Sequence, residues 1–337
     1  MPVKAYDMLA HTLTRAGIPG PKALQALRHY VVAGDVDRAC DVAFDMYRTS
    51  EDWEGRIWDE LMQIALREVG LADPYAVEQV HSLRKIKETT EIYNPAGGGM
   101  HCLCFVQAIR YLCACGRDDS LEAVAKEIRG ALDGGAQPVI PDFCYDHHTR
   151  LGVEWGRTPL DFLDPDGGSK VVPALEGVAE PYIARLREIL TPEYGHGEKY
   201  KAPGYIAWEH FNARSGVSAD LILAAFQKCI RRAMEHEALM VACDGFLSGR
   251  DFEEYFFKRM VIMSIEDIGM GDPNCHRLMA AYRDSRTYFP DDPDTRLMYL
   301  FQGVRYLCSC KKERATELIK GIMVKEFAAG KVPEMPE

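Results

Sequence analysis

The sequence is poor in the signals of sheet, of membrane passage and of the commonest catalytic motifs. No apolar run reaches the roughly 18 residues that a membrane-spanning helix needs, so no such helix and no membrane partner are expected. Runs of β-branched residues with period two are nearly absent, so no sheet is expected either. A phosphate-cradling Gly-x-x-x-x-Gly-Lys-Ser/Thr loop is missing, and the one Gly-Lys pair, Gly330-Lys331, stands without the rest of it. There is no Gly-x-Ser-x-Gly nucleophile elbow, and His236-Glu237 lacks the second histidine of a His-Glu-x-x-His zinc motif. These absences exclude P-loop nucleotide hydrolysis, the serine-hydrolase elbow and the zincin protease. Positive charge is also short: the net charge of −11 argues against a surface that holds nucleic acid everywhere, because phosphate contacts need clustered Lys and Arg. Residues Met1 to Asp7 lack the apolar stretch of a signal peptide, and the eleven cysteines lie mostly inside apolar helical patterns. The expectation is a reduced, cytoplasmic protein with no cofactor and no metal.

What the sequence does have is helical grammar, in a chain of 337 residues long enough for two or three domains. The strongest stretch is Phe256 to Pro273. Phe257, Val261, Ile265 and Ile268 fall at helical spacing, with Met260, Ile262 and Met263 widening the apolar face. Gly269 is placed to end that helix at positive φ, and Asp272-Pro273 to start the next. The same grammar stands 199 positions earlier, in Leu61 to Pro74.

In chain order, a lead over 1–21 carries a possible helix from Tyr6 to Arg15. Helices are then expected around Leu27, Val42, Ile57, Val80, Phe105 and Ala125. Asn94 to Gly99 reads as a loop. Residues 134–217 are dense in Pro, Gly, Asp, His and Tyr, with one helix near Tyr182 to Leu190. Ser218-Ala219-Asp220 is a helix-start signal, after which helices continue to about Ala328.

Strings recur in the same order. Ile109-Arg110-Tyr111-Leu112-Cys113-Ala114-Cys115 returns as Val304-Arg305-Tyr306-Leu307-Cys308-Ser309-Cys310, and Tyr93-Asn94-Pro95 as Tyr288-Phe289-Pro290. The predicted fold is all-α: two tandem helical-array repeats, 22–141 and 218–333, joined by an irregular arm over 142–217. Within the repeat, Asp59, Glu60 and Arg67 correspond to Lys258, Arg259 and Glu266, so the signs are inverted while the apolar face is kept. Glu60, Arg67, Arg259 and Glu266 are therefore candidate interaction residues between the two halves. Solvated positions drifting freely are the alternative.

The corner Ser264-Ile265-Glu266-Asp267-Ile268-Gly269-Met270-Gly271-Asp272-Pro273 resembles the Ser-Glu-Asp-Ile-Gly-Leu-Ala-Asp-Pro corner of the RarA/MgsA family. These are replication-associated recombination AAA+ ATPases that include the Werner-helicase-interacting protein. Gln302 to Leu307 and Tyr194 to Tyr205 are similar to further pieces of that family's C-terminal helical region, which mediates tetramerisation. The resemblance implies an oligomerising helical fold, a homo-oligomer, and an AAA+ ATPase or other DNA replication, recombination or repair protein as partner. It does not carry over the ATPase activity, since the nucleotide loop is absent. The leading expectation is a non-catalytic oligomerisation or interaction protein.

Two clusters supply alternatives. Asp142, Asp146, His147 and His148 are raw material for a metal-dependent hydrolase, with His196 and His210 as possible supplements. Tyr194, Lys199, Tyr200, Lys201 and Tyr205 interleave aromatics with lysines, as a single-stranded nucleic-acid contact requires. The pairs Cys102/Cys104, Cys113/Cys115 and Cys308/Cys310 are spaced to point apart on a helix, which suits packing better than zinc.

Overall fold

Helices begin where the sequence supplies a cap or a proline and stop where it supplies a glycine. The computed structural model describes residues 11–90, 99–197, 199–201 and 210–336. Among them are fifteen α-helices and no strand, so the chain is all-α. No helix among these residues is long and apolar enough to cross a membrane. Two compact units divide the chain. Unit 1 comprises Met1–Lys126 and Ala280–Gln302, and unit 2 comprises Glu127–Met279 and Gly303–Glu337.

Unit 1 starts with α1 (Gly20–Ala33), which has Pro21 in its first turn and ends at Gly34 in the left-handed region. The Asp35 side chain caps α2 (Val36–Tyr47), and Ser50 caps α3 (Glu51–Ile64). Then come α4 (Ala76–Thr89), α5 (Gly99–Ala114) and the start of α6 (Ser120–Asp133). Leu27, Met46, Trp58, Leu61, Phe105 and Ile109 are sealed from solvent. Each such side chain contributes roughly 1.5–3 kcal/mol.

Unit 2 contains α7 (Arg150–Glu154), α8 (Pro159–Phe162), α9 (Glu180–Tyr194), α10 (Ala219–Arg231), α11 (Glu235–Ser248) and α12 (Arg250–Met263). Following them are α13 (Cys275–Ser285), α14 (Pro293–Ser309) and α15 (Ala315–Ala328). Residues 280–302, within α13 and α14, belong to unit 1.

The segment expected to be an irregular arm is more ordered than its composition suggests. Thr149 caps α7, and a reciprocal Thr158–Asp161 box starts α8. Phe162 and Leu163 then form a small core with Leu190 and Leu318. Further along, Lys312 N donates to Pro173 O at 2.9 Å and Leu175 N to Lys312 O at 2.8 Å, tying the arm to the loop after α14.

Other expectations are corrected. His11 to Arg15 form no α-helix, and Tyr6 to Ala10 of the expected lead helix, like Asn94 to Gly98, lie outside the described residues. Gly99 opens α5 instead of closing a loop. Ser218 precedes α10 without a side-chain cap bond.

The two glycine corners are built alike. The five residues Ala65–Val69 and Ser264–Ile268 form π-turns, and Gly70–Ala72 and Gly269–Gly271 are short 3-10 turns. Gly70 has φ 54°, ψ −132° and Gly269 φ 53°, ψ −125°, a conformation that only glycine adopts cheaply. Neither site has room for a side chain. A Cβ on Gly70 would lie 2.4 Å from Asp118 O, and one on Gly269 2.2 Å from Glu313 Oε1. The helices resume at Ala76 and Cys275, each turned by an Asp that takes a nearby backbone N–H, so Pro74 and Pro273 precede the helix instead of opening it.

One expectation about the strongest stretch fails. Phe257 and Ile268 are buried, but Ile265 is 49 % exposed, Ile262 45 % and Met270 65 %. The buried stripe of α12 runs through Phe252, Phe256, Met260 and Met263, leaving Val261 and Ile262 at its edge. Ile265, three residues after the exposed Ile262, continues that outer side of the helix into the π-turn.

Candidate functional site

Position 28 of unit 1 and position 227 of unit 2 explain the inverted charges. Arg28 Nε lies 2.6 Å from Glu60 Oε1, and its Nη1 lies 3.1 Å from Glu68 Oε1. In unit 2, Gln227 Oε1 accepts from Arg259 Nε at 3.0 Å, and Gln227 Nε2 donates to Asp267 Oδ2 at 2.8 Å. Unit 1 sets a cation between two carboxylates, and unit 2 sets an amide between a cation and a carboxylate. An amide has both a donor and an acceptor, so it can serve both neighbours. The remaining two candidates also find partners inside their units. Arg67 pairs with Glu122 and donates to Thr295 Oγ1 at 3.0 Å, and Glu266 lies 3.5 Å from Arg259.

Each corner is braced by one acid. Leu71 N donates to Asp118 Oδ2 at 3.1 Å and Met270 N to Glu313 Oε1 at 2.9 Å. The backbones of these acids close the same loop, Asp118 N to Glu68 O and Glu313 N to Asp267 O, both 3.0 Å. A tyrosine completes each set: Tyr111 donates to Asp73 Oδ2 at 2.6 Å, and Tyr306 to Asp272 Oδ2.

Around the arm, α10 turns a polar face inward. Gln227, Lys228 and Arg231 are all buried. Arg231 Nε donates to Asp267 Oδ1 at 2.8 Å and its Nη1 to Gly168 O at 2.6 Å. Arg314 Nε lies 3.2 Å from the same Oδ1, and its guanidinium stands 5.0 Å from the centre of the Phe162 ring. Burial alone would raise the Asp267 carboxyl, but Arg231 and Arg314 outweigh it and hold it below the usual range.

The Asp/His cluster is anchored to this face. Asp146, His147 and His148 bring one ligand atom each within 4.8 Å, while Asp142, His196 and His210 stand outside the group. Lys228 Nζ lies 2.7 Å from Asp146 Oδ2 and donates to Cys144 O at 3.1 Å. His148 N donates to Asp146 Oδ1 at 3.0 Å. Burial would raise the Asp146 carboxyl, but the His148 bond and the Lys228 ammonium more than offset it and hold it low. Burial lowers the His147 imidazole to about 3, helped by neighbouring His148. Its Nδ1 is enclosed without a partner. A carboxylate that already meets a buried ammonium at 2.7 Å is a poor ligand for a divalent ion, which would have to face that ammonium. The cluster fits a structural anchor better than a hydrolytic centre.

A second group was not foreseen. Asp272, Cys275 and Cys310 also bring ligand atoms within 4.8 Å. The Cys275 thiol, hydrogen-bonded to Cys310 and buried, is pushed up, while Cys310 as its acceptor is lowered. Beside them Lys312 is fully buried, its Nζ donating to Cys308 O and Cys310 O, both at 2.9 Å. All eleven cysteines are free. His101, which has no evident partner in the sequence, meets the buried Glu54 at 3.2 Å.

The Lys/Tyr stretch offers little free stacking surface. Lys199 and Lys201 are exposed, but Tyr200 sets its ring edge-to-face on His147 at 5.2 Å, and Tyr194 lies 6.0 Å from Tyr200. Tyr205 lies outside the described residues.

The buried cations Lys228, Arg231, Lys312 and Arg314 were missed because a basic residue near a helix end ordinarily reads as solvated. The available signal was Asp267, a carboxylate set between apolar Ile265 and Ile268. Set against known protein families, curated proteins and solved structures, the chain matches none of them.

Proposed function

We propose that the chain is a non-catalytic interaction protein made of two copies of one helical unit, about 22–141 and 218–333, with 142–217 as the connection. The observation that carries this reading is the matched pair of corners. Gly70/Gly269, Asp73/Asp272, Tyr111/Tyr306 and Asp118/Glu313 hold the same places and make the same bonds. The reading keeps the kinship with the helical C-terminal region of RarA-like ATPases, and with it a self-associating, cytoplasmic protein that works beside an AAA+ ATPase in replication or repair.

The electrostatics support an architectural role. Asp146 and Asp267, the ionisable groups best placed for chemistry, are each engaged by buried cations. Groups held in this way fix geometry, which suits an architectural role. The test is affinity purification from the native host together with a nucleotide-hydrolysis assay. Recovery of an AAA+ ATPase and no hydrolysis by the pure chain is the expected result. Turnover of ATP by the pure chain, or stoichiometric metal by elemental analysis, sinks the reading.

A further inference from the structure

The same helix faces are bare in one place and covered in another. On α14, Thr295, Met298 and Gln302 are 0 %, 5 % and 0 % exposed. Their counterparts on α5, 195 positions earlier, are Met100 at 49 %, Leu103 at 64 % and an exposed Gln107. The corners show the reverse bias. Met62 and Leu66 are sealed, whereas Val261 is only half-buried and Ile265 is 49 % exposed.

Unit 1 shows what covers the sealed corner. Arg67 donates to Thr295, Tyr282 reaches Pro74 O at 3.4 Å, and Arg84 stacks on the Tyr288 ring at 3.5 Å. The stretch from Tyr282 to Tyr299 therefore lies over the first corner. By the repeat, its counterpart is the beginning of α5, and the counterpart of the first corner is the second. Both of those surfaces are apolar and exposed.

Resting on the two-copy reading above, we propose that the second corner of one molecule receives the α5 side of a second copy of this chain. Leu103 stands where Met298 stands, and Met100 replaces Thr295. Glu266 takes the place of Arg67 and is already held by Arg259, so the new contact is apolar where the internal one has a polar link. Ile262, Ile265 and Met270 supply the receiving face. The two surfaces differ, so the contact is heterologous: each molecule has one donor side and one acceptor side.

Sedimentation velocity on the full chain tests this, with L103D and I265D as variants at exposed positions and circular dichroism as the check on folding. The wild type is expected to associate with increasing concentration. Each variant should weaken association roughly tenfold or more, as a charge at the centre of an apolar contact does. An equimolar mixture of the variants should regain association, because L103D keeps its corner and I265D keeps its α5 side. Association untouched by either variant, or a mixture no stronger than its components, overturns the proposal and leaves self-association through another surface. A wild type that stays monomeric at every concentration removes both the contact and the homo-oligomer. A photo-crosslinker at position 265 that captures residues 100–107 of another molecule supports the contact, and capture elsewhere overturns it.

Discussion

The triangle around Arg28 and the triangle around Gln227 have the same backbone frame and opposite electrostatics. In unit 1 one cation serves Glu60 and Glu68, and the side chains of Arg28 and Glu68 are 31 % and 25 % exposed. In unit 2 the equivalent of Glu68 is Asp267, wholly enclosed, with Arg231 and Arg314 added around it. The comparison teaches that the corner geometry depends on its glycine and its bracing acid, while the charges beside it can be exchanged if the middle residue changes with them. It also teaches that burial sets the stakes. An exposed pair is worth little because water competes for it, whereas an enclosed charge without its partner is expensive.

The largest effect is expected from setting Asp267→Ala beside Glu68→Ala. Removing Asp267 strands Arg231 and Arg314 in the interior and should cost about 3–5 kcal/mol. Removing Glu68 leaves Arg28 with Glu60 and should cost about 1 kcal/mol or less after solvent screening. Urea denaturation of both variants measures this, and equal costs would break the comparison.

Acid should separate the units next. His147 in unit 2 stays neutral in the fold down to about pH 3, whereas the unfolded chain takes up the proton near the ordinary value of about 6.5. Stability is therefore full above about 6.5 and falls as the pH drops toward 3. Asp146 and Asp267, both held low, add a second loss that begins below about pH 4. Unit 1 is mixed: burial outweighs Arg84 and raises the Asp59 carboxyl, so acidification relieves a cost there, while burial lowers the more exposed His81, which shares the sign of His147. Hydrogen exchange at pH 7 and pH 4 should show unit 2 opening first, and H147Q should flatten its response above pH 4. Uniform loss of protection in both units would contradict this.

The smallest effect sharpens the comparison most. Arg28→Gln alone leaves Glu60 and Glu68 without their cation. Adding Glu60→Arg rebuilds the arrangement of unit 2 inside unit 1. The double variant should recover stability relative to R28Q by about 1 kcal/mol, read as coupling in a double-mutant cycle. No coupling would mean that the resemblance of the two triangles is only geometric.

Much of the fold was legible because it rests on local rules. Gly269 stops its helix as its place in the corner suggests, and apolar spacing marks the helices around Leu27, Ile57, Val80 and Phe105. The recurrence of Tyr-Leu-Cys after each Gly-x-x-Asp-Pro corner was legible as plain text. The candidate sites were less so. Nothing near Asp146 in the chain announces Lys228, since the two meet only through folding. Arg231 and Lys312 look like ordinary helix-end cations until Asp267 and the carbonyls of Cys308 and Cys310 stand opposite them. Ile265 was misplaced because α12 is apolar on two adjoining sides, and the spacing alone does not say that the buried stripe is centred on Phe256, Met260 and Met263.

The π-turn has a wider consequence. Each π-turn acts on side chains as a frameshift acts on codons, over the few residues between it and the glycine: they are read on a face rotated by about 100°. Both corners carry the π-turn at the same place, so the direction in which each glycine and its bracing bonds leave the helix depends on its retention. Deleting one residue between Ser264 and Ile268 would leave the composition almost unchanged and bring α12 to the glycine in regular α-helical phase. It would also move Ile268, Gly269 and the Glu313 brace out of register together. The corner is thus a punctuation mark in the helical text, and the meaning of the residues after it depends on keeping it.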